Sequence, residues 1–568
     1  MQRRYVETIT LLTALLAAPA ALPQTAFNGA NGIKHVLLIS IDGMHSLDFV
    51  NCTNGVSGVN SGKPYCPNLA ALANTGVNYL NASTSKPSDS FPGLMAIMSG
   101  GSPKSVGAFY DVSYDRSLNP PAVTTGNGVA GGPCTPGVTP PGTTTEFDEG
   151  IDINQSLLNG GAPGAGLTDG GVASIDATRL ERDMSCNPVY PWNFVRTNTI
   201  FGVIHQAGGY TAWSDKHPSY SAVSGPGSGT NVNDYYSPEI NSTVVNLPGV
   251  LTPTGMNCST IPDPTQTGAW TDSFENIQCY DTLKVNAILN EIDGKTHLGK
   301  TPAPVPTLFG MNFQAVSVGE KLIEANVGSG GYTNAAGTPS TYLLNEIQFV
   351  DTAIGKMVSE LSKQGLLEST WIVISAKHGQ SPIDPNKYFP IPGPNGTNGM
   401  SPATILENLL PWSESPANPT GIGPTEDDIS LIWLANESQT DSAVTTLESN
   451  LTTAGIGEIF NGPAITTMFN APGLPPYGDP RTPDIIVTPN FGVVYTGSSS
   501  KQMEHGGFSH DDTNVMLLLS NPSAAKMTIQ TPVQTLQIAP TILHILGLNP
   551  GSLQSVEIEG TTVLPGMM

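Results

Sequence analysis

Two short stretches carry residue types that can act together. Residues 36–45, VLLISIDGMH, form an apolar run that stops at Asp42, and residues 85–98, SKPSDSFPGLMAIM, place Ser90 just ahead of Phe91-Pro92-Gly93. A carboxylate and an alcohol brought to one edge of a fold can make a metal-activated nucleophile, because the carboxylate holds a cation and the cation lowers the pKa of the hydroxyl. Proline is favoured in the first turn of a helix, so Ser90 is expected at or next to an N-cap. The positive end of the helix dipole there favours a developing alkoxide or an anionic substrate. Taken one at a time, Asp42 is equally a strand end and Ser90 equally a capping residue.

The elements around these residues give them a common edge. Val36, Leu37, Leu38 and Ile39 are continuously apolar, which suits a strand buried on both faces of a parallel sheet. Ligands of such sheets bind beyond the carboxyl ends of the strands, where Asp42 falls. Residues 341–367 carry Leu343, Leu344, Ile347, Val350, Ile354, Met357, Val358 and Leu361 at the spacing of an amphipathic helix that ends near Gly365. That helix leads into a second buried strand, Trp371-Ile372-Val373-Ile374, which delivers Lys377 and His378 at its carboxyl end. Further strands are expected at 307–311, 484–488 and 515–519. Two stretches rich in Gly, Pro, Thr and Asn, 119–191 and 386–482, interrupt the pattern. The second holds its own apolar run, Ile429 to Ala435, and is expected to form a cap subdomain.

The order of the motifs IDG, PSDSFPG, SAKHGQ at 375–380 and EHGG at 504–507 resembles the type I phosphodiesterase/nucleotide pyrophosphatase family of the alkaline phosphatase superfamily. The helix-like 538–548, IAPTILHILGL, and the tail 559–566, EGTTVLPG, are similar to that superfamily's closing elements. The resemblance implies an α/β fold with a central, mostly parallel sheet flanked by helices, covering 34–566 with a cap inserted at 386–482. It also implies two zinc ions, with Asp42, Ser90, His378 and His505 on ligand positions.

Two departures stand out. Lys377 occupies the place of an aspartate expected before His378, and 307–322, TLFGMNFQAVSVGEKL, has no aspartate or histidine where the other ion's ligands are expected. Gln314 or Val316 takes the aspartate's place there, and Val318 or Glu320 the histidine's. Removing two carboxylates and adding an ammonium reverses the local field, so a second metal is not expected. One divalent ion, zinc by the resemblance, is expected on Asp42, Ser90 and His378 or His505, with Lys377 turned toward the substrate's oxyanion. The catalytic group is then Ser90, Lys377 and His505. His45, Asp48 and the cluster Asp215-Lys216-His217 are weaker candidates for completing the site, with His45, Asp48, Asp215 and His217 as substrate contacts, each also readable as an ordinary loop residue.

The net charge of −24, from 46 acidic and 22 basic residues, argues against a general nucleic-acid or anionic-membrane surface. Charged residues are only 12% of the chain, about half the usual share. Arg3 and Arg4 precede an apolar stretch at 9–18, and small residues at 18, 20 and 21 offer cleavage positions, the pattern of a secretory signal peptide over 1–21. No later stretch has the length of a membrane span, so no membrane anchor is expected. Six cysteines favour three disulfides in an oxidising compartment; sequence neighbours suggest Cys52–Cys66, Cys134–Cys186 and Cys258–Cys279 among fifteen pairings. Sequons at Asn51, Asn81, Asn154, Asn241, Asn257, Asn395, Asn436 and Asn450 agree with a secreted glycoprotein. The expected function is a secreted, metal-dependent hydrolase of small anionic phosphate esters, diesters or pyrophosphates, with Ser90 as nucleophile. Sulfate or phosphonate ester hydrolysis is the alternative within enzymes. A non-catalytic glycoprotein that keeps the fold is the alternative outside them.

Overall fold

The computed structural model describes residues 32–146, 175–241, 247, 249–260, 270–394, 398–411 and 425–567. The expected signal peptide and the sequons at Asn154 and Asn395 lie outside them. Its centre is an eight-stranded sheet. In chain order the strands are β1 (His35–Ile41), β2 (Gly76–Tyr79), β3 (Ala212–Ser214), β4 (Asp234–Tyr236), β5 (Leu308–Phe313), β6 (Thr370–Ser375), β7 (Leu518–Ser520) and β8 (Met527–Ile529). They lie side by side as β8-β2-β7-β6-β1-β5-β3-β4. Every neighbouring pair is parallel except the two that β7 makes, with β6 and β2.

The apolar run of β1 is continuous because both of its faces are covered. Leu37, Ile39 and Ile41 enter one core cluster, and Val36 and Leu38 enter the other. One face packs on α2 (Phe274–Ile292) and α3 (Thr341–Lys363), the other on α1 (Ser90–Ser99) and α4 (Ile538–Ile545). In α3, Ser340 caps the first turn, and Leu343, Ile347, Val350, Ile354, Met357 and Leu361 are buried at steps of three and four. The result is a three-layer α/β fold with the helices expected from a mostly parallel sheet.

Two expected strands sit differently from a simple sheet reading. Residues 515–519 divide: Asn514–Val515 pairs antiparallel with Ala82–Ser83, and only Leu518–Ser520 joins the central sheet. The strand at Ile485–Pro489 belongs to a separate antiparallel sheet with Thr425–Glu426, Ser430–Ile432 and Ile456–Asn461. That sheet runs past 482 and has its own apolar cluster, including Leu434, Leu447, Ile485 and Val487. Cys52–Cys66, Cys134–Cys186 and Cys258–Cys279 are bonded. Among the described residues no helix is long and apolar enough to cross a membrane.

Candidate active site

Four adjacent strands, β6-β1-β5-β3, end on the same edge of the sheet, and each delivers polar side chains to one place. β1 ends in Asp42, β6 in Lys377 and His378, β5 carries Asn312 and Gln314, and β3 ends in Asp215, Lys216 and His217. The end of β5 is held by α2, where Lys284 reaches the Asn312 carbonyl at 2.5 Å and Asp281 accepts from the Gln314 and Ala315 backbone N–H groups at 2.8 and 2.9 Å. Ser90 is the first residue of α1, and Asp89 is the cap. The next turn must touch the β6 loop: a Cβ on Gly93 would lie 2.1 Å from the Lys377 carbonyl oxygen, so only glycine lets α1 come this close.

The Ser90 hydroxyl sits among three groups. Lys216 Nζ donates to Ser90 Oγ at 3.1 Å, His378 Nε2 lies 3.2 Å away, and Asp42 Oδ2 is 3.5 Å away. His378 Nδ1 is 2.9 Å from the Gly379 carbonyl, which can only accept, so Nδ1 carries the hydrogen and Nε2 can take one from Ser90. Asp42 accepts from Asn312 Nδ2 on Oδ1 and from Gln314 Nε2 on Oδ2, at 2.8 and 2.7 Å. Lys377 Nζ stands 3.3 Å from Asp42 Oδ2 and 3.6 Å from Asp215 Oδ1, and the face of Tyr220 lies 4.5 Å away. Burial opposes the charge of Asp42, but Lys377, then His378 and Lys216, outweigh it and hold the carboxyl well below the usual range. His505 stacks on His378 with ring centroids 4.0 Å apart and lies 3.3 Å from Asp89. Burial, with His378 and Lys321 adding to it, drives its pKa well below 6.5, so it is neutral.

Motifs at the ends of strands from both ends of the chain thus converge as the phosphoesterase resemblance implies, and the chain matches the type I phosphodiesterase/nucleotide pyrophosphatase description over residues 36–144 and 328–512. The chain belongs to this family. Murine ectonucleotide pyrophosphatase/phosphodiesterase 5 shares its fold, at 12% identity and a TM-score of 0.50, over 91% of this chain and 96% of that one. An inactive form of the murine protein in complex with AMP matches equally, at 12% identity and 0.50 over the same shares. The alkaline phosphatase PafA matches at 13% identity and 0.48, over 90% and 96%. No curated protein matches the chain.

The family is typically metal-dependent, so the donor set has to be tested against an ion. In this phosphodiesterase-family chain, Gln314 rather than Val316 faces the site, and it faces it as an amide donor to Asp42. Val316 and Val318 are packed in the apolar core, and Glu320 is bound elsewhere. No second set of ligands forms among the described residues around His505. Asp42, Ser90 and His378 do converge, but a zinc ligand oxygen lies about 2.0–2.2 Å from its ion. Such an ion on Asp42 Oδ2 would have to displace the Gln314 amide and the Lys377 ammonium and would face Lys216 as well. The side chains present do not fit a dication.

The weaker candidates separate. Asp215 belongs to the site through Lys377, while its other oxygen accepts from Trp213 Nε1 at 2.8 Å. His217 pairs with Glu239 at 2.9 Å. His45 and Asp48 spend their polar atoms on Glu320, Tyr332 and Gln380. Those three carboxylate and imidazole groups lie close enough together to suggest an ion. Their separations of 2.7–3.2 Å, Tyr332 included, are hydrogen-bond lengths, so these atoms serve one another as donor–acceptor partners. The sequence offers Lys216 only within the cluster Asp215-Lys216-His217, with a loop reading beside it, and assigns it no contact with Ser90. The signal that could have found it is a repeat: SDKH at 214–217 and SAKH at 375–378 follow strands of one sheet, so their lysines arrive at one edge.

Proposed function

We propose that this protein is a secreted hydrolase of phosphate diesters that works through Ser90. The observation that carries the reading is the hydrogen-bond chain Lys216 Nζ to Ser90 Oγ to His378 Nε2, at 3.1 and 3.2 Å. Ser90 Oγ attacks phosphorus in line, and its proton passes to His378 Nε2. The Oγ–P bond forms as the bond from phosphorus to the leaving oxygen breaks, and that oxygen takes the proton from His378. Water then gives a proton to His378 and attacks the phosphoserine, and the returning Ser90 oxygen is reprotonated. Lys377 and Lys216 face the oxygens on which charge gathers, and neutral His505 offers a further hydrogen-bonding edge. The two carboxylates Asp42 and Asp215 offset the two ammonium groups, so a singly charged diester suits the site better than a dianionic monoester. The three disulfides support an oxidising compartment, and the antiparallel sheet around 425–489 reads as the cap beside the site.

One observation favours a second reading, a glycoprotein that keeps the fold without catalysis: Ser90 is wholly buried, and the most open members of the group are Lys216 and His505, at 7% and 9% exposure. Turnover of an aryl phosphodiester separates the two. The wild type is expected to hydrolyse it and to yield a phosphoryl-Ser90 peptide on rapid acid quench, and Ser90→Ala is expected to lose at least about a thousandfold in kcat/KM. A Ser90→Ala variant as active as the wild type removes the nucleophile, and an inert wild type leaves the non-catalytic reading.

A further inference from the structure

Lys377 is buried outright, yet its Nζ has no hydrogen-bond partner among the described residues. An ammonium has three protons to donate, and leaving them unused in a dry site is costly unless something completes them. Its nearest charges, Asp42 at 3.3 Å and Asp215 at 3.6 Å, are ion-pair contacts rather than hydrogen bonds. Lys216 approaches the same serine from another strand, with Nζ 3.1 Å from Ser90 Oγ and 5.7 Å from the Tyr220 ring that Lys377 also faces. One cation therefore touches the nucleophile and the other stands at the Asp42 carboxylate beside it, where a dication cannot enter without displacing Gln314 and Lys377.

We propose that Lys216 and Lys377 have taken over the charge that metal ions supply in this family, so that a phosphoryl group is bound by two side-chain ammonium groups and no divalent ion takes part. The inference rests on the hydrolase reading for its catalytic consequence but not for its binding one. Each element of a metal site has a counterpart in the geometry. The carboxylate that would hold an ion, Asp42, accepts one hydrogen bond on each oxygen, from Asn312 and Gln314, and has Lys377 at ion-pair distance. The carboxylate missing before His378 is replaced by the cation itself, and Asp215 balances the second charge. The free donors of Lys377 are what an incoming oxyanion completes, as charge-assisted N–H···O bonds. Because an ammonium is a compact point charge with three donors, two of them can meet the oxygens of an in-line displacement without a coordination shell.

The test uses the full-length protein purified from a zinc- and manganese-supplemented culture. Elemental analysis is expected to find well under one bound divalent ion per chain. Dialysis against a chelator is expected to leave the melting temperature, and turnover of an aryl phosphodiester, where they were. A stoichiometric ion whose removal lowers either one overturns the proposal. Inorganic phosphate is the binding probe: calorimetry in chelator is expected to show binding, and Lys377→Met and Lys216→Met to weaken it by about tenfold or more each. Phosphate binding that disappears in chelator and returns with zinc overturns the proposal, and so does the absence of binding under both conditions. A wild type that binds phosphate in chelator but turns over no ester upholds the two-lysine site and removes only the hydrolase reading. If a lysine variant does not fold, the wild-type metal, chelator and phosphate measurements still decide.

Discussion

Two buried ionic clusters hang from the end of β1, one on each side of Gly43, and they are built on opposite principles. In the first, Asp42, Lys377, Asp215 and Lys216 bring cations and carboxylates together at 3.3 and 3.6 Å and leave Lys377 Nζ without a hydrogen bond. In the second, His45, Asp48, Glu320 and Tyr332 close around one another at 2.7–3.2 Å, with His45 Nε2 joined to the Gln380 backbone. Charge decides the first and hydrogen bonding the second. A cluster held by charge at ion-pair distance keeps donors in reserve for a ligand, whereas a cluster closed by hydrogen bonds fixes a position. What the second one fixes is the loop after β6, since Gln380 lies two residues beyond His378. A site with unused donors thus stands beside a cluster whose polar atoms, Glu320 Oε2 apart, have partners among the described residues.

The largest effect that would break this comparison is at Lys377. Replacing it by methionine leaves Asp42 and Asp215 in the interior short of a partner, and breaking a buried pair on one side costs about 3–5 kcal/mol. Denaturant unfolding at pH 7 should show a loss of that size. The sign with pH follows from Asp42, whose folded pKa is held far below its ordinary 3.8. Its stabilisation is present above 3.8 and is lost as pH falls through the depressed folded value, so the gap between wild type and Lys377→Met should narrow only in strong acid. A Lys377→Met protein as stable as the wild type would mean that the ammonium was never the counter-charge of Asp42.

Much of this arrangement was legible in the sequence, for physical reasons. A strand buried on both faces has to be continuously apolar, so 36–39 and 371–374 marked β1 and β6, and the residues that follow such strands had to be Asp42, Lys377 and His378. Ser90 came from helix-start chemistry, and it is the first helical residue, next to the Asp89 cap. Even the disulfides followed from nearest neighbours along the chain. Lys216 was legible only as one member of the cluster Asp215-Lys216-His217 and not as a partner of Ser90, because β3 is three residues long and too short to show a period. The role of Gln314 was not legible either: an amide has no sequence signature as a hydrogen-bond donor to a carboxylate 272 positions away. Likewise, polar residues at 45 and 48 near a reactive aspartate look like substrate contacts until Glu320 and Tyr332, far along the chain, are seen to enclose them. Long-range pairing of side chains is the part of the fold that local pattern leaves open.

A middle-sized effect sharpens the other half of the comparison. Tyr332 Oη lies 2.9 Å from both Asp48 oxygens and 2.7 Å from Glu320, so it is the hydroxyl on which the second cluster closes. Tyr332→Phe removes the one hydroxyl proton that the Asp48 and Glu320 carboxylates share, and such a loss is worth about 1–3 kcal/mol. It should lower the unfolding free energy by that amount and leave phosphate binding at Ser90 within about twofold, since no charge near Lys377 changes. A loss larger than that of Lys377→Met would reverse the assignment of charge to one cluster and hydrogen bonding to the other.

The smallest effect is a slope rather than a loss. Burial pushes the Glu320 carboxyl up to about 7, against the opposing pull of His45, from an ordinary 4.5. Between those two values the unfolded chain has released a proton that the folded protein keeps, so folding is favoured less as pH rises. His45, whose folded pKa is raised well above 6.5 by Glu320 and Asp48 in spite of burial, adds nothing below 6.5 because it is protonated in both states. It loses its contribution only as pH rises through its raised folded value. Within this cluster the window from pH 5 to 6.5 therefore singles out Glu320, and carboxyls raised elsewhere, Asp484 and Asp512 to about 6, cancel in a comparison of variant with wild type. Glu320→Gln removes its titration, and the stability of the variant relative to wild type should climb with pH there by up to about 1.4 kcal/mol per unit. Unfolding curves at pH 5.0, 5.5, 6.0 and 6.5 measure that climb. A difference that stays flat would mean that Glu320 is ionised throughout the window, and the second cluster would then be an ion pair of fixed charges like the first.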